Sequence, residues 1–402
     1  MLGGRRGTAI LFAVALAVGP ASGPLAAAED DSASAEIDYD RVKAIFEGSI
    51  PDDIRVWAAQ HGALVVLEDP RLSLVAFDVS SRSNASAFVE DLRQRSDVSF
   101  ADYDVRLRSA SAPDDPAWSD QYGPQLIDAP KAWTTEPGST DVQLTVLDTG
   151  VDASHPDLRR ACEDACIADA NGHGTAVAGV ATAERDNGIG VAGMAEVDLA
   201  SQPTLGASGS APASAVASHL LDATEDGADI VSLGLAGECD AGGSNLCPEL
   251  DAAVSTAAAS GTLLVAGTGN DGHDHGVQEP ASSDDVLAVG SVGPTTERSP
   301  FSNGGPAVDV VAPGEDVVTT APRTSTLCGT TLDGLCTSSG TSLAAAHVAG
   351  VAALAASHCP AATSDAIASA ITTQATDLGD AGPDAAHGHG LVDADDTLRA
   401  VC

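Results

Sequence analysis

The sequence predicts an α/β protein: a three-layer domain with a mostly parallel central sheet, preceded by a smaller α/β unit. Three observations carry this. From residue 142 onward, short β-rich apolar runs alternate with alanine-rich stretches of helical character, the pattern of strands joined by helical crossovers. The composition is 44% hydrophobic but only 3% aromatic, which suits thin, tightly packed layers. A length of 402 residues is enough for one large domain with smaller parts attached.

The elements follow in chain order. Residues 1–28 read as an export signal: Arg5-Arg6, an apolar run from Thr8 to Val18, then small residues ending at Ala28. The run is too short to span a bilayer, and the paired arginines permit either Sec or twin-arginine export. An acidic linker follows to about residue 36. Within 37–108, Asp52-Asp53 caps a helix carrying Ile54, Trp57 and Ala58. Ala63–Leu67 and Leu72–Val79 read as strands around Asp69-Pro70, and Val98–Leu107 as a last strand. Ala85, Phe88, Val89 and Leu92 fall at helical spacing. A Ser/Ala/Pro/Asp stretch at 109–116 marks a boundary. The expected division is therefore 1–28, 29–112 and 113–402.

In the large part, Val142–Leu147, Ile230–Leu235, Leu263–Ala266, Val286–Ser291 and Val308–Val311 read as strands. His173–Ala183, Leu250–Ser260 and Ser342–Ala356 read as helices. Sites in such sheets lie at the carboxyl ends of the strands.

The formal net charge is −40, and residues 36–110 contribute only −5 of it. A surface this acidic repels nucleic acid and anionic membranes. Its even spread resembles that of salt-adapted proteins. All eight cysteines lie between Cys162 and Cys402. An even count in an exported chain points to disulfides, and their order suggests the local pairs Cys162–Cys166, Cys239–Cys247, Cys328–Cys336 and Cys359–Cys402. No paired CxxC supports a zinc site. The exposed Gly-His273-Asp-His275 loop reads as solvated.

Four short runs carry the chemistry. Val146-Leu-Asp148-Thr-Gly150 ends an apolar strand in a carboxylate. Asp-Thr-Gly also marks aspartic proteases, but the second copy that a carboxylate dyad needs is missing. Asn171-Gly-His173-Gly-Thr175 opens a helix with a histidine between glycines. Gly340-Thr-Ser342-Leu-Ala-Ala-Ala-His347 sets a serine at the first turn of a helix, where free N–H groups stabilise developing negative charge. Gly267-Thr268-Gly269-Asn270-Asp-Gly272 runs a strand into a turn with a side-chain amide. Singly, each has an ordinary reading as a cap or turn. Their order Asp, His, Asn, Ser is the one known for subtilisin.

On these runs, residues 113–398 resemble the subtilisin-like serine proteases (subtilases, peptidase family S8). The closing Gly388-His-Gly-Leu-Val-Asp-Ala394 is similar to the family's end. Acidity and export signal resemble the haloarchaeal halolysins. The resemblance implies a catalytic triad of Asp148, His173 and Ser342, Asn270 as oxyanion donor, and peptide or protein substrates. It implies a monomer that needs no cofactor for chemistry.

Two departures stand out: Leu343 replaces the usual Met, and Ala346 the usual Pro. The substrate-pairing strand, Asp229-Ile-Val-Ser232-Leu233-Gly234, aligns in two ways, so Ser232 or Gly234 faces the specificity pocket. Gly267, Thr268 and Gly269 would form its other wall. Asp115, Asp157, Asn187 and the carbonyls of Ile189 and Val191 match a structural calcium site. By position and size, residues 37–108 resemble the family's ferredoxin-like inhibitory propeptide, cleaved near 108–114. A catalytically dead binding module and a narrow processing protease are the competing readings.

Overall fold

The computed structural model describes residues 37–79, 82–105, 112–158, 169–239, 244–273, 275–330 and 334–402. The export signal, the segment 106–111 and the Cys162–Cys166 pair lie outside them.

Residues 37–105 form a βαββαβ unit. Strands β1 (Ile37–Phe46), β2 (Ala63–Asp69), β3 (Leu74–Val79) and β4 (Val98–Val105) make an antiparallel sheet in the order β2-β3-β1-β4. Helices α1 (Ile54–Gln60) and α2 (Arg82–Arg93) accompany it. Ile54, Ala58, Phe88 and Leu92 share a core with Val42, Val75 and Phe77 of the sheet. The sequence missed β1, because Asp38, Asp40, Arg41 and Lys43 interrupt its apolar run.

The large region opens with the short helices α3 (Tyr122–Leu126) and α4 (Ala129–Thr135). Its sheet contains β5 (Gln143–Asp148), β6 (Asp198–Pro203), β7 (Ile230–Leu233), β8 (Leu263–Gly267), β9 (Leu287–Val292) and β10 (Val310–Pro313). All six run parallel, in the order β10-β9-β8-β7-β5-β6. Alternate residues of each strand feed two cores. Leu144, Val146, Ile230 and Val265 pack with α5 (His173–Thr182) and α8 (Thr341–His358) on one face. Leu147, Val231, Leu233 and Leu264 pack with α6 (Ala213–Glu225) and α7 (Pro248–Ala259) on the other. These are the three layers expected from the alternation of strands and helices.

The antiparallel pairs β11–β14 (Val317–Thr320 with Leu335–Ser338) and β12–β13 (Thr324–Ser325 with Gly329–Thr330) precede α8. Helices α9 (Ser364–Thr373) and α10 (Ala394–Val401) close the chain. Helix α8 runs unbroken through Ala346, where proline would have removed an N–H. Cys239 is bonded to Cys247, Cys328 to Cys336 and Cys359 to Cys402.

From β5 the chain steps to β6 on one side and returns to β7 on the other. The strand order therefore reverses at β5, and the crevice of a parallel sheet opens at such a point, beyond the carboxyl ends of the strands. The residue at that end of β5 is Asp148.

Candidate active site

Asp148 is fully buried, and its Oδ1 accepts the Thr149 amide at 2.7 Å. The Nδ1–H of His173 donates to both carboxylate oxygens at 2.8 Å. The Ser342 hydroxyl donates to Nε2 of the same ring at 2.8 Å. Three residues that span almost two hundred positions of sequence thus form one unbroken chain of hydrogen bonds.

The glycines around His173 have steric causes. Gly172 sits at φ +100°, a conformation that side chains rarely adopt. A Cβ on Gly174 would lie 2.0 Å from the Gly150 carbonyl. Asp169, which sequence reasoning passed over, ties the site together. Its buried carboxylate accepts the Asn171, Gly172 and Thr175 amides and the Thr149 and Thr175 hydroxyls, all between 2.8 and 3.0 Å. The only signal available was an Asp four residues before the histidine. Burial pulls the His173 pKa down, but the Asp148 charge and hydrogen bond, with the Asp169 charge, outweigh it and leave the pKa above 6.5.

Ser342 is the second residue of α8, after Gly340. A Cβ on Gly340 would stand 3.2 Å from Ser342 Oγ and 3.9 Å from the Asn270 amide. Asn270 Oδ1 accepts the Thr341 amide at 2.9 Å, which leaves its Nδ2 to donate elsewhere. Leu343 and His347 are buried, and burial pushes His347 down to about 4.

A cavity of about 460 Å³ opens beside His173, with Gly234, Leu235, Ala236 and Gly237 along one wall. A Cβ on Gly234 would collide with Asp148 Oδ2, at 1.7 Å. Of the two alignments, the structure therefore puts Gly234 at the cavity. Ser232 and Leu233 are fully buried in β7, and the Ser232 hydroxyl has no partner among the described residues. Gly267 and Thr268 are also buried, Gly267 against Thr341 and Thr268 bonded to the Asn303 carbonyl. Gly269 turns at φ +109° toward Asn303 and Gln278. The expected wall at 267–269 thus packs inward and does not line this cavity.

The calcium candidates gather at another place. Asp157 Oδ1 accepts from Asn187 Nδ2 and its Oδ2 from the Val191 amide, each at 2.9 Å. Burial, with Asp115 and Glu184 adding like charge, raises Asp157 to about 6. Asp114, Asp115 and Asp186 bring ligand atoms within 4.8 Å of one another. Asp115 Oδ2 accepts the Asp186 amide, while its buried Oδ1 has no hydrogen-bond partner among the described residues. Ile189 stands 40% exposed at the edge of this group.

Residues 139–390 match the model of the subtilase family. The chain belongs to the subtilases. It is a serine-type endopeptidase of the subtilisin-like kind. A thermophilic serine proteinase of a Bacillus species is 37% identical over 306 residues, covering 74% of this subtilase and 72% of the relative. A halolysin-like extracellular serine protease of Natrialba magadii is 31% identical over 352 residues, covering 83% and 62%. Among solved structures, a protease from Pseudoalteromonas arctica superposes with a TM-score of 0.62 at 29% identity, over 73% of this chain and all of that one.

Proposed function

We propose that this subtilase is a secreted endopeptidase that cuts peptide bonds through an acyl-enzyme on Ser342. The relay Asp148–His173–Ser342 is the observation that carries the reading. His173 takes the hydroxyl proton as Ser342 Oγ attacks the scissile carbonyl, and returns it to the leaving amine. Asp148 holds the imidazole tautomer and stabilises the imidazolium. The Asn270 Nδ2 and the Ser342 amide receive the oxyanion. Water, deprotonated by the same histidine, then releases the acid and restores the serine. The glycine against Asp148, the glycines around His173 and Asn270 anchored through its Oδ1 to the Thr341 amide favour a working site over a dead binding module. Casein hydrolysis and labelling of Ser342 by a fluorophosphonate test it. An unlabelled, inert mature protein would refute it.

Residues 29–112 act in this reading as an inhibitory propeptide, removed by self-cleavage near the 108–114 boundary. The Natrialba relative is named an extracellular protease, which supports export, and its match over 83% of the chain takes in more than residues 112–402. The mature enzyme works as a monomer on peptides and proteins, in salt. Activity that is complete without salt would count against the salt-adapted surface.

A structural calcium ion fits at Asp115, Asp157, Asn187, Ile189 and Val191. The unpartnered, buried Asp115 oxygen supports this, since such an atom costs free energy without a cation or donor. The ion would brace the loop that follows α5 and take no part in the chemistry. A chelator should lower the melting temperature, and calcium should restore it.

A further inference from the structure

Two glutamates that the chemistry above does not use line the cavity beside His173. Leu205, Val216 and Leu250 give it an apolar lining, Glu238 and Glu279 also line it, and among the described residues no Lys or Arg does. Both glutamates are carried on fastened backbone. Glu279 exchanges two hydrogen bonds with Gly237, at 2.9 and 3.0 Å. Glu238 directly precedes Cys239, and the Cys239–Cys247 disulfide forms part of the same wall. One class of side chain answers both halves of this lining. An aliphatic stem covers the leucines and valine, and a cationic head meets the carboxylates. An acidic side chain meets like charge. A purely apolar one dehydrates the carboxylates without offering a partner.

We infer that the cavity selects a lysine or arginine of the substrate near the scissile bond, with Glu238 and Glu279 as the specificity determinants. This rests on the peptidase reading above. Gly234 links cavity to chemistry: with no Cβ there, the wall closes directly on Asp148 and His173. An occupant of the cavity therefore lies within a few residues of the carbonyl attacked by Ser342.

The net charge of −40 attracts cations to the whole surface, so a local preference must be separated from a global one. The test compares kcat/KM for matched peptides carrying Lys or Met at each of four positions on either side of the scissile bond. In the wild-type enzyme the Lys/Met ratio should reach roughly tenfold at one position. The double variant Glu238→Gln/Glu279→Gln should bring the ratio near one. Asp365→Asn, on α9 at the far end of the sheet, should keep it. Added salt should lower the wild-type ratio, a readout that needs no variant. A ratio near one with both peptides cut, or a ratio untouched in the double variant, or one lowered equally by Asp365→Asn, overturns the inference while leaving the peptidase intact. Ser342 labelled with neither peptide cut overturns it as well. Ser342 unlabelled, with nothing cut, brings down the peptidase reading itself and this inference with it.

Discussion

In residues 37–105, basic side chains stand against acids: Arg41 with Asp78, Lys43 with Asp104, Arg55 with Glu68, Arg71 with Asp69, Arg93 with Asp102 and Arg95 with Asp97. In residues 111–402, forty-one acidic side chains share seven basic ones. The small region leaves large apolar side chains in solvent, among them Ile45, Leu64, Leu67 and Phe100. Ile45 and Phe100 are cross-strand partners on its sheet. The large region exposes few such residues among those described, and it holds every cysteine. One region carries about two acids for each base and leaves apolar surface uncovered. The other carries about six acids for each base over a stapled core. The contrast fits the propeptide proposed above, because a region that is later removed need not seal its own apolar surface.

The sharpest separation should come from chemistry. Asp148→Asn keeps the hydrogen-bonded shape but favours the wrong imidazole tautomer, so turnover should fall on the order of 10⁴-fold. Circular dichroism should report both regions still folded. Opening the staples should separate them next. Cys359→Ser/Cys402→Ser frees a closure of 43 residues, worth about 4 kcal/mol on chain entropy. Calorimetry should show the large region melting earlier, and hydrogen exchange should show residues 37–105 unmoved. Equal loss of protection in both would break the comparison.

Asp169→Asn should cost about 1–3 kcal/mol, because an amide cannot accept from all five donors. It also removes a negative charge near His173. In the proposed mechanism the basic form of His173 acts, so activity should rise with pH along a limb above 6.5 in the wild type. In the variant that limb should move to lower pH. The raised pKa also adds stability that is complete below about 6.5 and lost as pH rises through the folded value. The smallest effect should belong to Phe100→Ser. At 45% exposed, the ring should cost less than about 1 kcal/mol to remove from the full-length chain. A larger cost, read from denaturant midpoints, would mean that this face is covered.

The triad was legible because its neighbours are constrained as tightly as its members. Gly172 and Gly174 are written into the sequence by a positive φ and a carbonyl at 2.0 Å. The strands of the large sheet were legible as apolar runs, since both faces are buried. β1 was not, because charges alternate through it, and β6, in Asp198–Pro203, carries too few apolar residues to stand out. The cavity was the least legible part. Leu205, Val216, Leu250 and Glu279 meet only after the sheet has assembled, and no local pattern records a tertiary wall. Between Ser232 and Gly234 the choice needed the Asp148 carboxylate, which fills the space a side chain would take.

Every pairing in the six-stranded sheet is parallel, so no strand can zip to its neighbour through a tight hairpin. β5 reaches β7 only after more than eighty residues of intervening chain. Pairings of that kind are slow to form, because the loop must close before any contact rewards it. The sheet that carries Asp148 should therefore form late in folding, with the acid of the relay in place only when its neighbouring strands are.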